Sequence, residues 1–206
     1  VQEVPIAISV VTSEEIKNTG AQSIQNLAAN VPNFTFPEGS FHGSVDMALR
    51  GIFSRVLLSD IGLDVGLGVY VDGVYTGKSM SSNAGLVDVE RIEVLRGPQG
   101  TLFGKNAIGG VINVVSKKPG NELEGDLEFE AGNYGLSRLM AGINIPINQD
   151  VLSTRFALSA SSRDGYVTNV TLNDDNVGDY EKLAGRFQLA YTPTEDTRLD
   201  LSLNIL

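Results

Sequence analysis

The sequence predicts two architectures in succession: an α+β domain, with a mixed sheet and short helices, and then antiparallel β-strands of membrane-barrel length. Three observations predict this. Up to about residue 117, short apolar runs are mixed with helix signals. After Pro119 the pattern becomes a strict alternation of period two. No apolar run approaches the roughly 18–20 residues of a membrane-spanning helix, which leaves a closed β-barrel as the other way to cross a bilayer.

The elements follow in order. "VPIAISVVT" (4–12) reads as a strand, and "TSEEIKNTG" (12–20) as a short helix. Thr12 and Glu15 have capping-box spacing, and Gly20 suits the position just past a helix end. "SIQNLAANVP" (23–32) sets Ile24, Leu27, Ala28 and Val31 on one helical face, with Pro32 as the stop. "MALRGI" (47–52), "LGVYVDGVYTG" (67–77), "RIEVLRG" (91–97) and "GVINVVSKKP" (110–119) read as strands, with Asp72-Gly73 as a hairpin turn.

Five alternating segments come next. Leu127 and Phe129 oppose Asp126 and Glu128; Leu139 and Ile143 oppose Arg138 and Asn144; Phe156 and Leu158 oppose Arg155 and Ser159. After a polar loop at about 164–179, Leu183, Phe187 and Leu189 oppose Lys182, Arg186 and Gln188, and Leu199 to Ile205 oppose Arg198 to Asn204. Each segment has the ~9–11 residues that a transmembrane strand needs. Alternation alone fits a soluble sheet with one wet face equally well. The dense charge on the wet face, connections that range from short turns to one long loop, and the open edge of the final strand favour the membrane.

Composition narrows the function. The 206 residues carry a formal net charge of −10 with no long basic run, which disfavours nucleic acid. There is no cysteine, so disulfides, thiolate metal sites and a cysteine nucleophile are excluded. The one histidine, His42, cannot build a metal site alone, and no signal peptide is visible at Val1. No Ser-His-Asp order or close carboxylate pair suggests an enzyme, and no cofactor is expected. "NDDNVGDYE" (173–181) misses the calcium-loop pattern and reads as a solvated loop. The sequons "NFT" and "NVT" are expected to be silent.

"RIEVLRGPQGTLFGKNAIGGVINVVSKKP" (91–119) invites comparison with a phosphate loop. It fails that comparison: Gln99 stands where the first glycine belongs, and Asn106 replaces the hydroxyl after Gly104-Lys105. "GLDVGLG" (62–68) is no dinucleotide fingerprint either. Glycine also permits positive φ and close backbone approach, so the stretch reads as a tightly folded loop feeding a strand.

The same stretch resembles the most characteristic segment of the plug domain of TonB-dependent outer-membrane receptors. Residues 4–36, "ALRGI" and "VGLGVYVDGVYTG" are similar to the rest of that plug, in the family's order. The resemblance implies a plug at 1–119 and the first five or so strands of a transmembrane barrel at 120–206. The family's barrels have about 22 strands and need more than about 400 residues, so a fragment of a longer protein is expected. It also implies a bacterial outer-membrane location and TonB-dependent import of a scarce, bulky ligand. An iron–siderophore complex is the default cargo, with glycan, cobalamin or haem as alternatives. The expected partners are TonB with ExbB–ExbD, engaged through a motif upstream of this chain, the ligand, and outer-membrane lipid; no nucleic acid is expected. The competing reading is a soluble plug-like binding or signalling module without transport.

Residue by residue, the resemblance implies that Arg50 and Arg96 pair with glutamates on the barrel wall beyond residue 206, as buried guanidiniums need carboxylates. Glu93 is a candidate local partner. Gly51, Gly73, Gly97, Gly100, Gly104, Gly109 and Gly110 match structural glycines of the plug. The apical stretches 36–44, 53–60 and 75–85 offer Phe41, His42, Arg55 and Tyr75 as ligand-facing side chains.

Overall fold

The computed structural model describes residues 7–21, 23–35, 45–56, 66–76, 86–171 and 174–205. The chain forms two compact units, Val1–Ser116 and Lys117–Leu206.

In the first unit the elements are β1 (Ala7–Thr12), α1 (Ser13–Thr19), α2 (Ile24–Leu27) running into a 3-10 turn (Ala28–Asn30), β2 (Phe34–Thr35), β3 (Val45–Leu49), β4 (Ile52–Val56), β5 (Leu67–Val71), β6 (Val74–Tyr75), β7 (Val89–Arg96), α3 (Gly100–Phe103) and β8 (Gly110–Ser116). The main sheet has the order β1-β7-β8-β5-β6, and the β5–β8 pair is parallel within an otherwise antiparallel sheet. One sheet face carries Ile92, Val94, Ile112 and Val114, packed with Ile16, Ile24 and Leu27 of the helices in one apolar core. The α1 start is the predicted capping box: the Glu15 amide donates to Thr12 Oγ1, and the Thr12 amide donates to the Glu15 carboxylate at 2.8 Å. Gly20 closes the helix in the left-handed conformation.

Two expectations change here. "MALRGI" is not one strand but the hairpin β3–β4, which also pairs with β2, and its turn is Arg50-Gly51 at φ +52° and +78°. Arginine at a left-handed position is a weak turn signal, because only the glycine that follows it suits the geometry. The glycine stretch also holds a one-turn helix, α3, too short to leave a periodic signature.

In the second unit β9 (Glu124–Ala131), β10 (Ser137–Asn148), β11 (Leu152–Arg163), β12 (Val167–Asn169), β13 (Asp174–Val177), β14 (Tyr180–Thr194) and β15 (Thr197–Ile205) follow one another. The five long strands form one open antiparallel sheet, ordered β15-β14-β11-β10-β9. β12 and β13 make a small separate hairpin inside the segment read as a plain polar loop; two very short strands cannot show a periodicity. β14 spans 15 residues, longer than the alternation suggested, because its polar ends continue the ladder.

Candidate functional site

In the first unit the glycine stretch folds onto the second face of the main sheet. The Gly97 amide donates to the Gly109 carbonyl at 3.1 Å, Gln99 to Ala107 at 2.8 Å, and Gly109 to Gly66 at 2.9 Å, so the loop is closed at its neck and anchored before β5. Tyr70, Leu95, Ala107 and Val111 are buried beneath it with Phe103 against them. The Tyr70 hydroxyl donates to the Phe103 carbonyl at 2.6 Å, and its ring meets Phe103 edge-on at 4.9 Å. Gly110 is needed for space: a Cβ there would lie 2.6 Å from Leu49 Cδ2 and against the Leu95 carbonyl, at φ +150°. Gly109 is similarly confined by Ile52, at 2.8 Å. Gly97 and Gly104 have positive φ, as do the turn residues Gly51 and Gly73. Gly100 opens α3 with free space around it, so nothing in the structure requires a glycine there.

The fold brings Arg50 to the residue that follows Arg96. Arg50, on the β3–β4 turn, passes its Nη1 within 3.9 Å of the position a Gly97 Cβ would take, beside Arg96. Arg96 is half-buried, and its Nε has no hydrogen-bond partner. Among the described residues neither arginine has an ion-pair partner. Glu93 is not a partner for Arg96. Its carboxylate accepts from Arg91 Nε at 2.8 Å and from Asn113 Nδ2 at 3.0 Å. Residues two apart share a strand face and residues three apart do not, which decides the pairing. Asp72 performs a related task nearby: it accepts from the Ser116 amide and hydroxyl at 2.9 and 2.6 Å, tying the β5–β6 turn to β8.

Of the proposed ligand-facing residues, Phe41 and His42 lie outside the described residues, as does the side chain of Arg55 on β4. Tyr75 is 37% exposed. Its hydroxyl accepts from Asn106 Nδ2 at 3.1 Å, and its ring is tilted against Tyr70 at 5.5 Å. Among the described residues no group of three metal-ligating side chains exists.

The second unit is inverted relative to a water-soluble sheet. Leu127 is 75% exposed, and Phe129, Leu183, Leu199, Leu203 and Ile205 are exposed with it. Arg155 is 4% exposed, and Arg138, Asn144, Ser153, Ser159 and Gln188 are buried. The buried charges are paired along the sheet: Arg155 Nη2 and Lys117 Nζ each lie 3.2 Å from Asp126 Oδ1, and Arg138 lies 3.6 Å from Glu130. Gly142 stands between the Asp126 and Arg155 positions, and a Cβ there would come within 3.0 Å of the guanidinium. Sequence reading did not find this pair, whose signal is opposite charges two registers apart on strands joined through a glycine. Asn144 accepts from the Gly120 amide and donates to the Gly120 carbonyl, both at 2.9 Å, which pins the segment leading into β9. Buried paired charge behind an exposed apolar face matches a barrel wall with lipid outside and a polar lumen. No helix among the described residues is long and apolar enough to cross a membrane, so any crossing is by strands.

A glycine-pinned mixed domain followed by an inverted sheet defines a plugged outer-membrane barrel protein. A family model described as TonB-dependent Receptor Plug Domain matches residues 1–111, and the chain belongs to that family. Its location is accordingly the bacterial outer membrane. The pesticin receptor of Yersinia pestis is 28% identical over 192 residues, covering 92% of this chain and 28% of the relative. The vitamin B12 transporter BtuB of Photobacterium profundum is 29% identical, covering 81% of this chain and 26% of the relative. Among solved structures, the ferric yersiniabactin uptake receptor FyuA from Yersinia pestis superimposes with a TM-score of 0.80 at 28% identity, covering 92% of this chain and 29% of that one. The siderophore receptor PiuA from Acinetobacter baumannii shares the fold at a TM-score of 0.78 and 19% identity. The chain thus spans less than a third of the length of these relatives, which are receptors and transporters rather than enzymes.

Proposed function

We propose that residues 1–119 are the plug, and residues 120–206 the first wall strands, of a longer receptor that imports a scarce ligand across the outer membrane with energy delivered through TonB. The observation that carries this reading is the inverted sheet placed directly after a plug-family domain: apolar residues outward, buried ion pairs inward. The outer membrane holds no nucleotide energy source, so a gated lumen needs coupling to TonB with ExbB–ExbD, through a segment upstream that adds to the partner's sheet as a strand. Arg50 and Arg96 support the gating role. Two arginines with no ion-pair carboxylate among the described residues suit glutamates on wall strands outside this chain. Phe41, His42, Arg55 and Tyr75 are the proposed ligand-facing set.

The proposed cargo is an iron–siderophore complex, a choice supported by the names of the pesticin-receptor and yersiniabactin-receptor relatives. Cobalamin is the second reading, supported by the vitamin B12 transporter among them. The test is uptake by iron-starved cells carrying the full-length gene, with and without TonB. Radiolabelled ferric-siderophore and labelled cobalamin are supplied in turn. TonB-dependent accumulation of the iron complex is expected. Accumulation of cobalamin alone replaces the cargo, and accumulation of both labels independent of TonB sinks the reading. Arg96→Gln is expected to raise leakage of a small antibiotic through the lumen if the arginine locks plug to wall.

A further inference from the structure

The chain is tied down on both sides of the step from Ser116 to Lys117. Ser116 ends β8, is fully buried, and donates its amide and hydroxyl to the Asp72 carboxylate. The next residue, Lys117, lies 3.2 Å from Asp126 on β9. β8 is the central strand of the main sheet, paired with both β7 and β5, so whatever holds Lys117 holds that sheet by its middle strand.

Residues 117–123 run on to β9 as neither helix nor strand, and 120–123 are exposed. A segment with no ladder and little apolar burial has little local stability of its own. Side chains of the second unit supply it. The Gly120 amide donates to Asn144 Oδ1, and Asn144 Nδ2 donates back to the Gly120 carbonyl, both at 2.9 Å; the same Nδ2 donates to the Glu122 carbonyl. Asn121 Nδ2 donates to the Asp150 carboxylate on the turn after β10.

Asn144 is central to this arrangement. It stands on the polar face of β10, level with Glu124 and Arg155, and is 3% exposed. Buried amides need protein partners in place of water. Asn144 finds its partners in the backbone of 120–122, and the carboxylate that holds Lys117 is shared with the buried Arg155. Shielded from water, such bonds reinforce one another, so the segment leaves the face as a unit or stays on it.

We propose that residues 117–123 are a fixed anchor, with Asn144 as its positioning residue. During import the segment stays on the wall, and the plug opens by rearranging upstream of Lys117 without being pulled away as a body. The inference rests on the importer reading, in which the load enters through a segment upstream of Val1. A load at one end does work on the plug only if the other end is held. An exit that holds turns the pull into rearrangement, and one that slips turns it into expulsion.

The test uses the full-length receptor in iron-starved cells, with and without TonB. Asn144→Ala is expected to lower the inhibitory concentration of vancomycin, too large for a plugged barrel, severalfold and only where TonB is present. A leak from a merely weakened fold needs no TonB. These 206 residues hold no cysteine, and the Asn121 and Asp150 side chains are in contact, so Asn121→Cys with Asp150→Cys is joined by a short bis-methanethiosulfonate. Joined in the Asn144→Ala background, the pair is expected to restore exclusion. Joined in the otherwise wild-type receptor, it is expected to leave unchanged the TonB-dependent uptake of whichever label that receptor accumulates. Heat-modifiable electrophoretic mobility reports whether each barrel is folded. If Asn144→Ala fails there, Asn144→Asp takes its place, keeping the acceptor for the Gly120 amide and losing the donor. A folded variant that does not leak, a leak without TonB, or a leak that joining does not reverse overturns the anchor. Uptake that joining abolishes removes the anchor and leaves the importer reading standing; no TonB-dependent uptake by the unjoined receptor removes the importer reading and the anchor with it.

Discussion

The main sheet of the first unit buries apolar residues on both faces, whereas the long strands of the second expose their apolar face and bury the polar one. In the first, Leu49, Ile92 and Ile112 are fully enclosed, and the polar chain Arg91–Glu93–Asn113 stays near the surface. In the second, Leu127 and Phe129 face outward while Arg155 and Asn144 are buried. Alternation therefore states only that a strand has two unlike faces. The surrounding medium decides what is buried: water drives the apolar faces of the first unit inward, and lipid accepts the apolar face of the second.

The largest effect expected is on the plug core. Gly110→Val places side-chain atoms against the Leu95 carbonyl and Leu49, and should destabilise the first unit by about 3 kcal/mol or more. Limited proteolysis of the full-length receptor, with cleavage rates confined to residues 1–116, reads this. A variant as resistant as wild type shows that the tight neck is not required.

Next comes the sharpest test of the inversion. Leu201 is half-exposed on the apolar face. In water Leu201→Arg is near neutral, within about 0.5 kcal/mol. In a barrel wall it costs about 2–4 kcal/mol toward the bilayer midplane. Reversible folding into lipid vesicles measures the difference, and no penalty there contradicts the lipid-facing assignment.

A smaller effect is expected within the polar face. Asp126→Asn removes the carboxylate shared by Lys117 and the buried Arg155, at a cost of about 1–2 kcal/mol, moderated because Asp126 is itself partly exposed. Denaturant titration in detergent measures it; a loss as large for Asp200→Asn, whose Arg198 partner is exposed, removes the special status of the buried pair.

The smallest effect concerns Tyr70 in the first unit. Tyr70→Phe loses the hydrogen bond to Phe103, worth about 1 kcal/mol. Burial, and then the neighbouring Tyr75, raise the Tyr70 phenol above its ordinary value. The folded state therefore disfavours the phenolate. The stabilisation is complete below the unfolded value near pH ~10 and is lost as pH rises through the higher folded value. The Phe variant should show a weaker alkaline loss in a pH series of plug protection, and an unchanged loss would assign it to another group.

Much of the fold was legible because its signals are local. The capping box at Thr12–Glu15, the Asp72-Gly73 turn and the five long strands each appear within a few residues of sequence. The hairpin at Arg50-Gly51 was missed because arginine is an unusual left-handed residue, and β12–β13 because short strands have no period. Of the site, the need for Gly109 and Gly110 was readable, while Gly100 has no visible requirement. Glu93 was assigned to the wrong arginine, since face sharing along β7 favours Arg91.

The sequence by itself determined where the long strands run, where the Asp72-Gly73 turn falls and that the second unit has one charged face, because backbone geometry and turn chemistry act between near neighbours. Only the tertiary structure decided that β5 lies parallel to β8, that Arg50 reaches Gly97 beside Arg96, and that Asp126 holds Arg155 across Gly142. Those contacts join residues far apart in the chain. They form only when sheet register, set by burial of whole faces, brings the partners within reach.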